Sequence, residues 1–301
     1  MTAGSSQVLV GLDVGGTKTA VIIETVAGRE LVDTVVPSED WDAEPLAHGV
    51  AWVERCIADL LPEGCEVVAV GIGAQGLDSN EISQGFAAAV GYPAVAVNDA
   101  ALLPAAAGLE DGLGVIAGTG SIGVGRDAAG SYVITGGWGW VIGDEAGAAG
   151  IVREATKAAL RAHDESLPED GLLSALCPAF GGEGAERLAR DVNDEPTMDN
   201  WGPRAPAVFA AADEGSARAA SVIEVAGANL AALVGQLVAR GAVGSTVVAA
   251  GSVVVGQPRL FDALVRGVAA TQPQLDVVLL TDPPVVGALA LARQLYETKE
   301  S

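Results

Sequence analysis

The sequence predicts an α/β protein of two lobes, because short apolar runs alternate with helical segments and the opening pattern restarts near residue 115. Its 301 residues, 50% of them hydrophobic, suffice for two medium-sized domains that each have a core. We place the N-terminal lobe at residues 1–113 and the C-terminal lobe at residues 114–301.

The N-terminal lobe begins with a strand, a glycine turn and a second strand. Strands are predicted at 8–12, 20–23, 31–36, 67–72 and 94–97. Helices are predicted at 46–61, at 81–90 and directly after Asn98-Asp99. The helix at 46–61 carries one apolar stripe around Trp52, which we assign to the core.

The C-terminal lobe repeats this beginning with strands at 115–116, 122–125 and 132–134. When Thr17 is aligned with Thr119, Gly28 falls on Gly130, and the regular spacing indicates an internal duplication. Two unrelated hairpins are the alternative. The remaining predictions are helices at 151–162, 217–239, 259–270 and 287–296, strands at 246–255 and 277–280, and surface loops at 164–170 and 191–206.

The charge is strongly acidic, with 16 Lys and Arg against 39 Asp and Glu. We therefore expect neither nucleic acid nor an anionic membrane surface as a partner, and the ordinary role of such acidity is solubility. An anionic ligand remains compatible, because backbone amides can form a local positive site. The three cysteines lack metal-site spacing, the N-terminus lacks a basic signal region, and residues 241–258 resemble buried strand and loop, so we expect a cytoplasmic protein.

The segment DVGGTKT offers a candidate phosphate turn. Gly15 and Gly16 permit positive φ and close approach of backbone amides to an anion, and Thr17 and Lys18 add donors. Asp13 ends a strand, where it can hold Mg²⁺ through water. The segment is neither a Walker A loop nor a dinucleotide fingerprint, because the spacing differs and a strand follows.

A second turn, formed by Gly118, Thr119, Gly120 and Ser121, has the same chemistry. One such turn in each lobe could grip a polyphosphate from both sides, and ligands favour clefts between domains.

Two further positions interrupt regular structure. Asp99 follows the strand at 94–97, where a carboxylate can accept the proton of an attacking hydroxyl, although Asn98 and Asp99 are also good helix caps. Gly251-Ser252 interrupts a predicted strand, which indicates either close approach of a flat ligand such as a purine or a β-bulge.

In this order, DVGGTKT, VNDA, AGTGS and AAGSV resemble the motifs of the sugar kinase/Hsp70/actin superfamily. Within it, GGWGWVIGDEAG resembles the GGWGxxxGDEGS motif of N-acetylglucosamine kinases in the BadF-type ATPase family. The resemblance covers nearly the whole chain. It implies two ribonuclease-H-like, actin-like ATPase lobes with an active-site cleft between them, ATP and Mg²⁺ as cofactors, and closure on the substrate.

The implied reaction is transfer of the γ-phosphoryl group to the 6-hydroxyl of an amino sugar, N-acetylglucosamine or glucosamine. Asp99 matches the catalytic base, and Gly251 and Ser252 match the nucleotide-base motif. The two glycine turns match the phosphate loops, with Thr119 also near the sugar. The sugar-side residues implied are Glu39, Trp41, Asn98, Asp99, Thr119, Gly137, Trp138 and Asp144. Trp140 is assigned to packing, and we expect a homodimer.

The chain departs from the family motifs at two places. The sugar loop often reads Ser-Thr-Asn-His-Trp, whereas this chain has Pro-Ser-Glu-Asp-Trp at 37–41, so that Glu39 replaces the Asn. An extra carboxylate there could favour a free ammonium over an N-acetyl group, unless Glu39 points into solvent. Ala146 and Gly147 replace the Gly-Ser of the motif. The serine hydroxyl is therefore missing at position 147, and so are any contacts that it makes in the family.

Three other functions share some of these sequence features. A ROK-type hexose kinase shares the first motif and the Asn-Asp pair, but its cysteine-rich zinc motif is absent from the sequence. An activator ATPase of 2-hydroxyacyl-CoA dehydratases needs cluster-binding cysteines, and Cys56, Cys65 and Cys177 lie away from the phosphate turns. A non-catalytic sugar sensor would not require both phosphate turns and Asp99.

Overall fold

The computed structural model describes residues 5–109 and 111–300, which form two compact units. The first unit comprises Met1–Gly112, Gly125–Val133 and Leu280–Ser301, and the second comprises Leu113–Val124 and Ile134–Leu279. These units differ from the expected lobes 1–113 and 114–301 mainly at the end of the chain, which joins the first unit.

The first unit contains a mixed five-stranded sheet. Its strands are β1 (Ser6–Val14), β2 (Lys18–Thr25), β3 (Glu30–Pro37), β4 (Cys65–Ala74) and β5 (Ala94–Val97). The order is β3-β2-β1-β4-β5, in which β1 pairs antiparallel with β2 and parallel with β4. Strand β4 is buried along most of its length and also pairs parallel with β5, as its continuous apolar sequence predicts.

The helices of this unit are α1 (Leu46–Leu60), α2 (Asn80–Ala89) and α3 (Leu103–Ala106), and a 3₁₀ turn at Asp99–Leu102 precedes α3. The apolar stripe of α1 is buried at Trp52, Val53 and Ile57, which confirms its assignment to the core. Ser79 caps α2 by accepting a hydrogen bond from the Ile82 amide at 3.2 Å.

The second sheet repeats the order of the first. Its strands are β6 (Leu113–Ala117), β7 (Ser121–Asp127), β8 (Tyr132–Gly136), β9 (Ala242–Val243), β10 (Thr246–Ala250) and β11 (Asp276–Leu279). The order is β11-β10-β6-β7-β8, and β9 pairs with β7. Strand β6 pairs antiparallel with β7 and parallel with β10, as β1 does with β2 and β4. The shared topology supports an internal duplication.

Helices make up most of the second unit. They are α4 (Ala148–Asp164), α5 (Leu172–Ala179), α6 (Ala185–Asp194), α7 (Met198–Trp201), α8 (Ala205–Asp213), α9 (Ala217–Ala239), α10 (Ser252–Gly256) and α11 (Pro258–Thr271). Two sequence predictions are wrong here. Residues 191–206 hold helical turns rather than a continuous loop, and the strand predicted at 246–255 ends at Ala250, where Gly251 adopts φ 104° and helix α10 begins.

Helix α9 is long and apolar enough to cross a membrane by length and composition, and no other described segment meets that test. Such a helix is also typical of the core of a soluble protein. Its buried positions, among them Ile223, Leu230 and Val234, form a face, and the helix packs against α4, α8 and α11.

The last helix, α12 (Val285–Glu300), packs against β1 and β4 of the first sheet. Glycines make this close approach possible: a methyl group at Gly11 would lie 2.7 Å from the backbone nitrogen of Leu289, and one at Gly71 would collide with the Ala288 carbonyl. Arg293 of α12 donates to the Val26 carbonyl at 3.1 Å and pairs with Glu24. The first unit therefore depends on α12 for one layer of its core.

Candidate functional site

The first glycine turn connects β1 to β2. The Gly15 amide donates to the Lys18 carbonyl at 3.1 Å, and Thr17 and Lys18 are exposed at its tip. The Thr17 carbonyl accepts from the Ser38 amide at 3.1 Å, and the hydroxyls of Ser38 and Thr19 are 2.8 Å apart. The turn is thus tied to the segment after β3, and Ser38 is a structural partner that sequence reasoning did not single out.

The sequence predicts that the glycines of the two turns allow positive φ, and the structure corrects this prediction. Gly15, Gly16, Gly118 and Gly120 have φ values outside the left-handed region, so positive φ is not what requires them. Close approach is the reason at two positions. A methyl group at Gly16 would lie 2.8 Å from Gln75 Oε1, and one at Gly120 would lie 2.6 Å from Asp144 Oδ2.

Asp13 and Asp99 interact electrostatically within the first unit. Asp13 is the penultimate residue of β1, and Asp99 follows β5, so both lie at the carboxyl ends of parallel strands. Burial and the charge of Asp99 raise the pKa of Asp13 to about 7. Burial and the charge of Asp78 raise the pKa of Asp99. Carboxylates whose pKa is raised by burial and by a neighbouring negative charge are typical of functional sites.

Asn98 caps the 3₁₀ turn at Asp99–Leu102, for which the sequence offers both Asn98 and Asp99 as capping residues. Its side-chain oxygen accepts from the Ala100 amide at 3.1 Å, and its Nδ2 donates to Asp78 Oδ1 at 2.8 Å. Asp99 Oδ1 also accepts from the Ala100 amide, at 2.9 Å. Asp78 therefore fixes Asn98 from a distant loop, a contact that no local pattern in the sequence could reveal.

The segment after β3 holds Trp41 partly buried and leaves Glu39 exposed. The Trp41 ring packs edge to face on Trp52, with centroids 5.4 Å apart, and its indole donates to the Gln75 carbonyl at 3.3 Å. The Trp52 indole donates to the Glu39 carbonyl at 2.9 Å. The backbone of Glu39 is consequently fixed while its carboxylate points to solvent.

The second glycine turn lies against the start of α4 and against Gly251. The Ala148 amide donates to the Gly118 carbonyl at 2.9 Å. A methyl group at Gly147 would lie 2.6 Å from the Thr119 carbonyl oxygen, and one at Gly251 would lie 2.5 Å from the Ala117 carbonyl oxygen. Gly251 is therefore not a β-bulge: it lets the start of α10 contact this turn.

Asp144 is 8% exposed and has φ 52°, in a region that residues other than glycine rarely adopt. Burial raises the pKa of its carboxyl, and hydrogen bonds from the Ser121 and Gly139 amides and the charge of Arg153 act against that rise. Its Oδ1 atom is buried, and no group in residues 5–109 and 111–300 forms a hydrogen bond with it. Because a buried carboxylate oxygen without a partner is costly, Oδ1 is suited to accept from a ligand.

The two tryptophans near Asp144 have different surroundings. Trp138 is 75% exposed, next to Gly137 and Gly139, which both have positive φ. Trp140 packs edge to face on Trp201 of α7. Trp140 is thus confirmed as a packing residue, and Trp138 is free to meet a ligand.

A cavity of about 450 Å³ in the second unit adjoins Thr119 and Ser252. Its lining also includes Phe209 and Asp199. The remaining lining comes from Ala148, Met198, Gly202, Pro203, Ala205, Pro206, Val253 and Gln257. The cavity is mainly apolar with few polar groups, as sites for flat organic ligands usually are. Its helical wall falls in residues 191–206, where the sequence predicted a surface loop.

The donor set near Asp13 fits a magnesium ion that is shared with phosphate. In residues 5–109 and 111–300, no cluster of three or more His, Cys, Asp or Glu side chains could hold a metal ion by itself. Mg²⁺ commonly needs only one or two carboxylates, because waters and phosphate oxygens complete its shell. The mutual repulsion of Asp13 and Asp99 is what a divalent cation would relieve.

Comparisons with known proteins give one family. The model of the BadF/BadG/BcrA/BcrD ATPase family matches residues 10–292. The N-acetylmuramic acid/N-acetylglucosamine kinase of Clostridium acetobutylicum is 33% identical over 172 residues, which are 52% of this chain and 55% of that protein. The N-acetyl-D-glucosamine kinase of Dictyostelium discoideum is 23% identical over 57% of this chain and 60% of its own length. The aligned region therefore spans little more than half of each relative.

Two solved structures show the fold. A provisionally named N-acetylglucosamine kinase from Chromobacterium violaceum has a TM-score of 0.68 and 26% identity, over 96% of this chain and 99% of that chain. A ROK family glucokinase from Streptomyces griseus, in complex with glucose and AMPPNP, has a TM-score of 0.56 and 20% identity, over 95% and 99%. The predicted α/β fold of the actin-like ATPase type is confirmed.

Proposed function

The chain belongs to the BadF/BadG/BcrA/BcrD ATPase family, and from this premise we propose that it is an ATP-dependent kinase acting on the 6-hydroxyl of an amino sugar. The observation that carries the proposal is Asp99, a desolvated carboxylate at the end of a parallel strand, whose raised pKa suits a proton acceptor. The names of the relatives in Clostridium acetobutylicum and Dictyostelium discoideum support an amino sugar.

In the proposed mechanism, Asp99 accepts the proton of the 6-hydroxyl as that oxygen bonds to the γ-phosphorus and the bond to the β-phosphate oxygen breaks. The products are the sugar 6-phosphate and ADP, and the proton leaves Asp99 for solvent. Mg²⁺, when bound, supplies positive charge to the phosphate oxygens, and Asp13 is the residue that would hold it.

The second unit is proposed to bind the nucleotide and part of the sugar. The amides and hydroxyls of residues 118–121 suit phosphate oxygens, and the cavity beside Thr119 and Ser252 suits the base and ribose. The unpartnered Oδ1 of Asp144 suits a sugar hydroxyl, and the exposed ring of Trp138 suits the apolar face of the sugar or its acyl group.

An assay of ATP consumption over a panel of sugars tests the proposal. The panel comprises N-acetylglucosamine, glucosamine, N-acetylmuramic acid and glucose, each with and without Mg²⁺, and the product is identified by mass spectrometry. We expect phosphorylation of at least one amino sugar, with kcat/KM at least tenfold above that for glucose. A preference for glucose would favour the hexose kinase alternative, and phosphorylation of no sugar would contradict the proposal.

A further inference from the structure

Residues 136–143, which we name the tryptophan loop, carry an unusual amount of exposed apolar surface. Val141 is 67% exposed and Ile142 is 78% exposed, and both follow Trp138 closely. Gly136, Gly137 and Gly139 all have positive φ. Because glycine leaves the backbone free and these exposed side chains add no packing, the loop is anchored by the Trp140 ring on Trp201, by the Gly137 amide on the Ser121 carbonyl, and by the hydrogen bonds described next.

Within the loop, hydrogen bonds define one turn. The Gly143 amide donates to the Gly139 carbonyl at 2.8 Å, and the Ile142 amide donates to the same carbonyl at 3.3 Å. The Gly139 amide also lowers the pKa of the Asp144 carboxyl. These contacts hold amides of the loop, and they leave the carbonyls of Trp140 and Gly143 for another partner.

That partner is Arg153 of α4. Its Nη1 donates to the Trp140 carbonyl and, at 3.3 Å, to the Gly143 carbonyl. One guanidinium nitrogen therefore links the residues on either side of the exposed pair Val141 and Ile142. Among the hydrogen bonds of the described residues, no other side chain reaches a carbonyl of the loop. The charge of Arg153 also acts on the Asp144 carboxylate.

The guanidinium itself is held in place. Its Nε donates to Glu154 Oε1 at 2.8 Å, and the other carboxylate oxygen of Glu154 accepts from Lys157 at 2.7 Å. The Arg153 side chain is 17% exposed, so its bonds to the loop are little weakened by water. Arginine suits this task better than lysine because its rigid planar fork can serve Glu154 and the loop at the same time.

We infer that Arg153 is a positioning residue for the sugar, because it fixes the loop that carries Trp138 and leads directly into Asp144. The inference deepens the proposed function and rests on it for the identity of the ligand. Arg153 acts through the loop carbonyls and is not itself placed on the sugar. Its loss should therefore weaken sugar binding far more than nucleotide binding or the chemical step.

The test compares three variants. Arg153→Met keeps an unbranched stem and removes every donor, and we expect the KM for the amino sugar to rise about tenfold or more, with less than about twofold change in kcat and in the KM for ATP. Arg153→Lys keeps one charged donor group and should give an intermediate sugar KM, which also covers the case that Arg153→Met fails to fold. Arg161→Met, the same change at an exposed position of α4, is the matched control and should leave all constants unchanged.

Hydrogen exchange separates the inference from the proposed function. In Arg153→Met, or in Arg153→Lys if the first variant does not fold, we expect the amides of residues 137–143 to exchange at least severalfold faster, while those of β10 keep their rate. Faster exchange in a protein that phosphorylates no sugar would contradict the proposed function and leave the positioning of the loop standing. Unchanged exchange, or equal rises in the KM values for sugar and ATP, would overturn the inference.

Discussion

The indole rings of Trp140 and Trp201 meet edge to face, with centroids 5.0 Å apart and an interplanar angle of 68°. Trp140 belongs to the tryptophan loop, and Trp201 ends α7, whose Met198 and Asp199 line the proposed nucleotide cavity. One aromatic contact therefore joins the proposed sugar side of the second unit to the proposed nucleotide side.

This relationship predicts opposite effects for two tryptophans that are two residues apart. Trp140→Ala should lower the free energy of unfolding by about 2–4 kcal/mol, because it removes a ring packed on the buried Trp201. Trp138→Ala should change it by less than about 0.5 kcal/mol, because the ring is exposed, and should raise the KM for the sugar about tenfold. Denaturant unfolding and steady-state kinetics of both variants check this. A stable Trp140→Ala, or an unchanged sugar KM in Trp138→Ala, would contradict the assignment.

Asp99→Asn should lower kcat by about 10²–10⁴-fold while sugar binding stays measurable, because the amide keeps the shape and loses the proton acceptor. Calorimetric titration with the sugar, together with the kinase assay, measures both quantities. Asp59→Asn, an exposed change in α1, is the control and should keep full activity. Undiminished turnover in Asp99→Asn would show that another group is the base.

Asp13→Asn should make the folded protein more stable at neutral pH. In the folded state the pKa of Asp13 is about 7 rather than 3.8, so the folded protein binds this proton more tightly than the unfolded chain. The protonated Asp13 carboxyl therefore contributes to the free energy of unfolding at low pH, and this contribution is lost as the pH rises from about 4 to about 7. Removing the carboxylate should raise the free energy of unfolding above pH 7 by as much as about 4 kcal/mol.

Urea unfolding of wild type and Asp13→Asn at pH 5 and pH 8, without Mg²⁺, measures this effect. The difference in free energy of unfolding between Asp13→Asn and wild type should be larger at pH 8. Asp33→Asn, an exposed change in β3, should show no such difference. A difference that is larger at pH 5 would have the wrong sign for a raised pKa. The variant should also lose most of its activity, a common cost of stabilising a site.

Glu39→Asn tests whether this residue selects the amino sugar. The main chain of Glu39 is fixed by Trp52, so the substitution should leave the loop in place while it removes the carboxylate. If Glu39 meets the amino group, the ratio of kcat/KM for N-acetylglucosamine to that for glucosamine should rise about fivefold or more, as expected for loss of one charged contact. No shift of that ratio would mean that Glu39 stays in solvent, where the structure shows it.

Gly147→Ser introduces the residue that the family motif carries at this position. A side chain there would meet the Thr119 carbonyl and Gly120 Cα, so it should displace the second glycine turn. We expect the KM for ATP to rise at least about fivefold, because phosphate contacts depend on turn geometry to within an ångström. Gly256→Ala, which meets nothing within 4 Å, is the matched control. An unchanged KM for ATP would show that the turn can move at no cost.

The sequence predicts the parts of the site that lie within short segments. Asp13, the two glycine turns and Asp99 stand out because each interrupts or ends an apolar run of strand type, and the sheets place them as expected. The glycine at 251 was found for the same reason. The predicted strand continues past it whereas the structure begins helix α10 there, because the apolar residues that follow are compatible with either a strand or a buried helix.

The sequence does not reveal what depends on distant contacts. Asp78 forms a hydrogen bond with Asn98, which lies 20 residues away in the sequence. Arg153 belongs to α4, the helix that follows the tryptophan loop, and contacts the loop from there. The helical wall of the cavity was hidden because residues 191–206 are polar and contain prolines, which on average favour loops. In each case the partner is set by tertiary packing, which no local periodicity encodes.

The packing of α12 on β1 and β4 has a consequence for synthesis of the chain. Ala288 and Ala292 complete two clusters of the first unit's core, whose members outside α12 come from residues 9–102 and from Tyr132. At usual translation rates of about 5–20 residues per second, the ribosome needs roughly ten to forty seconds to pass from the end of β5 to α12. During that interval the surface of the first sheet that α12 will cover is exposed in the cell. We therefore expect the first unit to complete its core only after translation reaches the last helix.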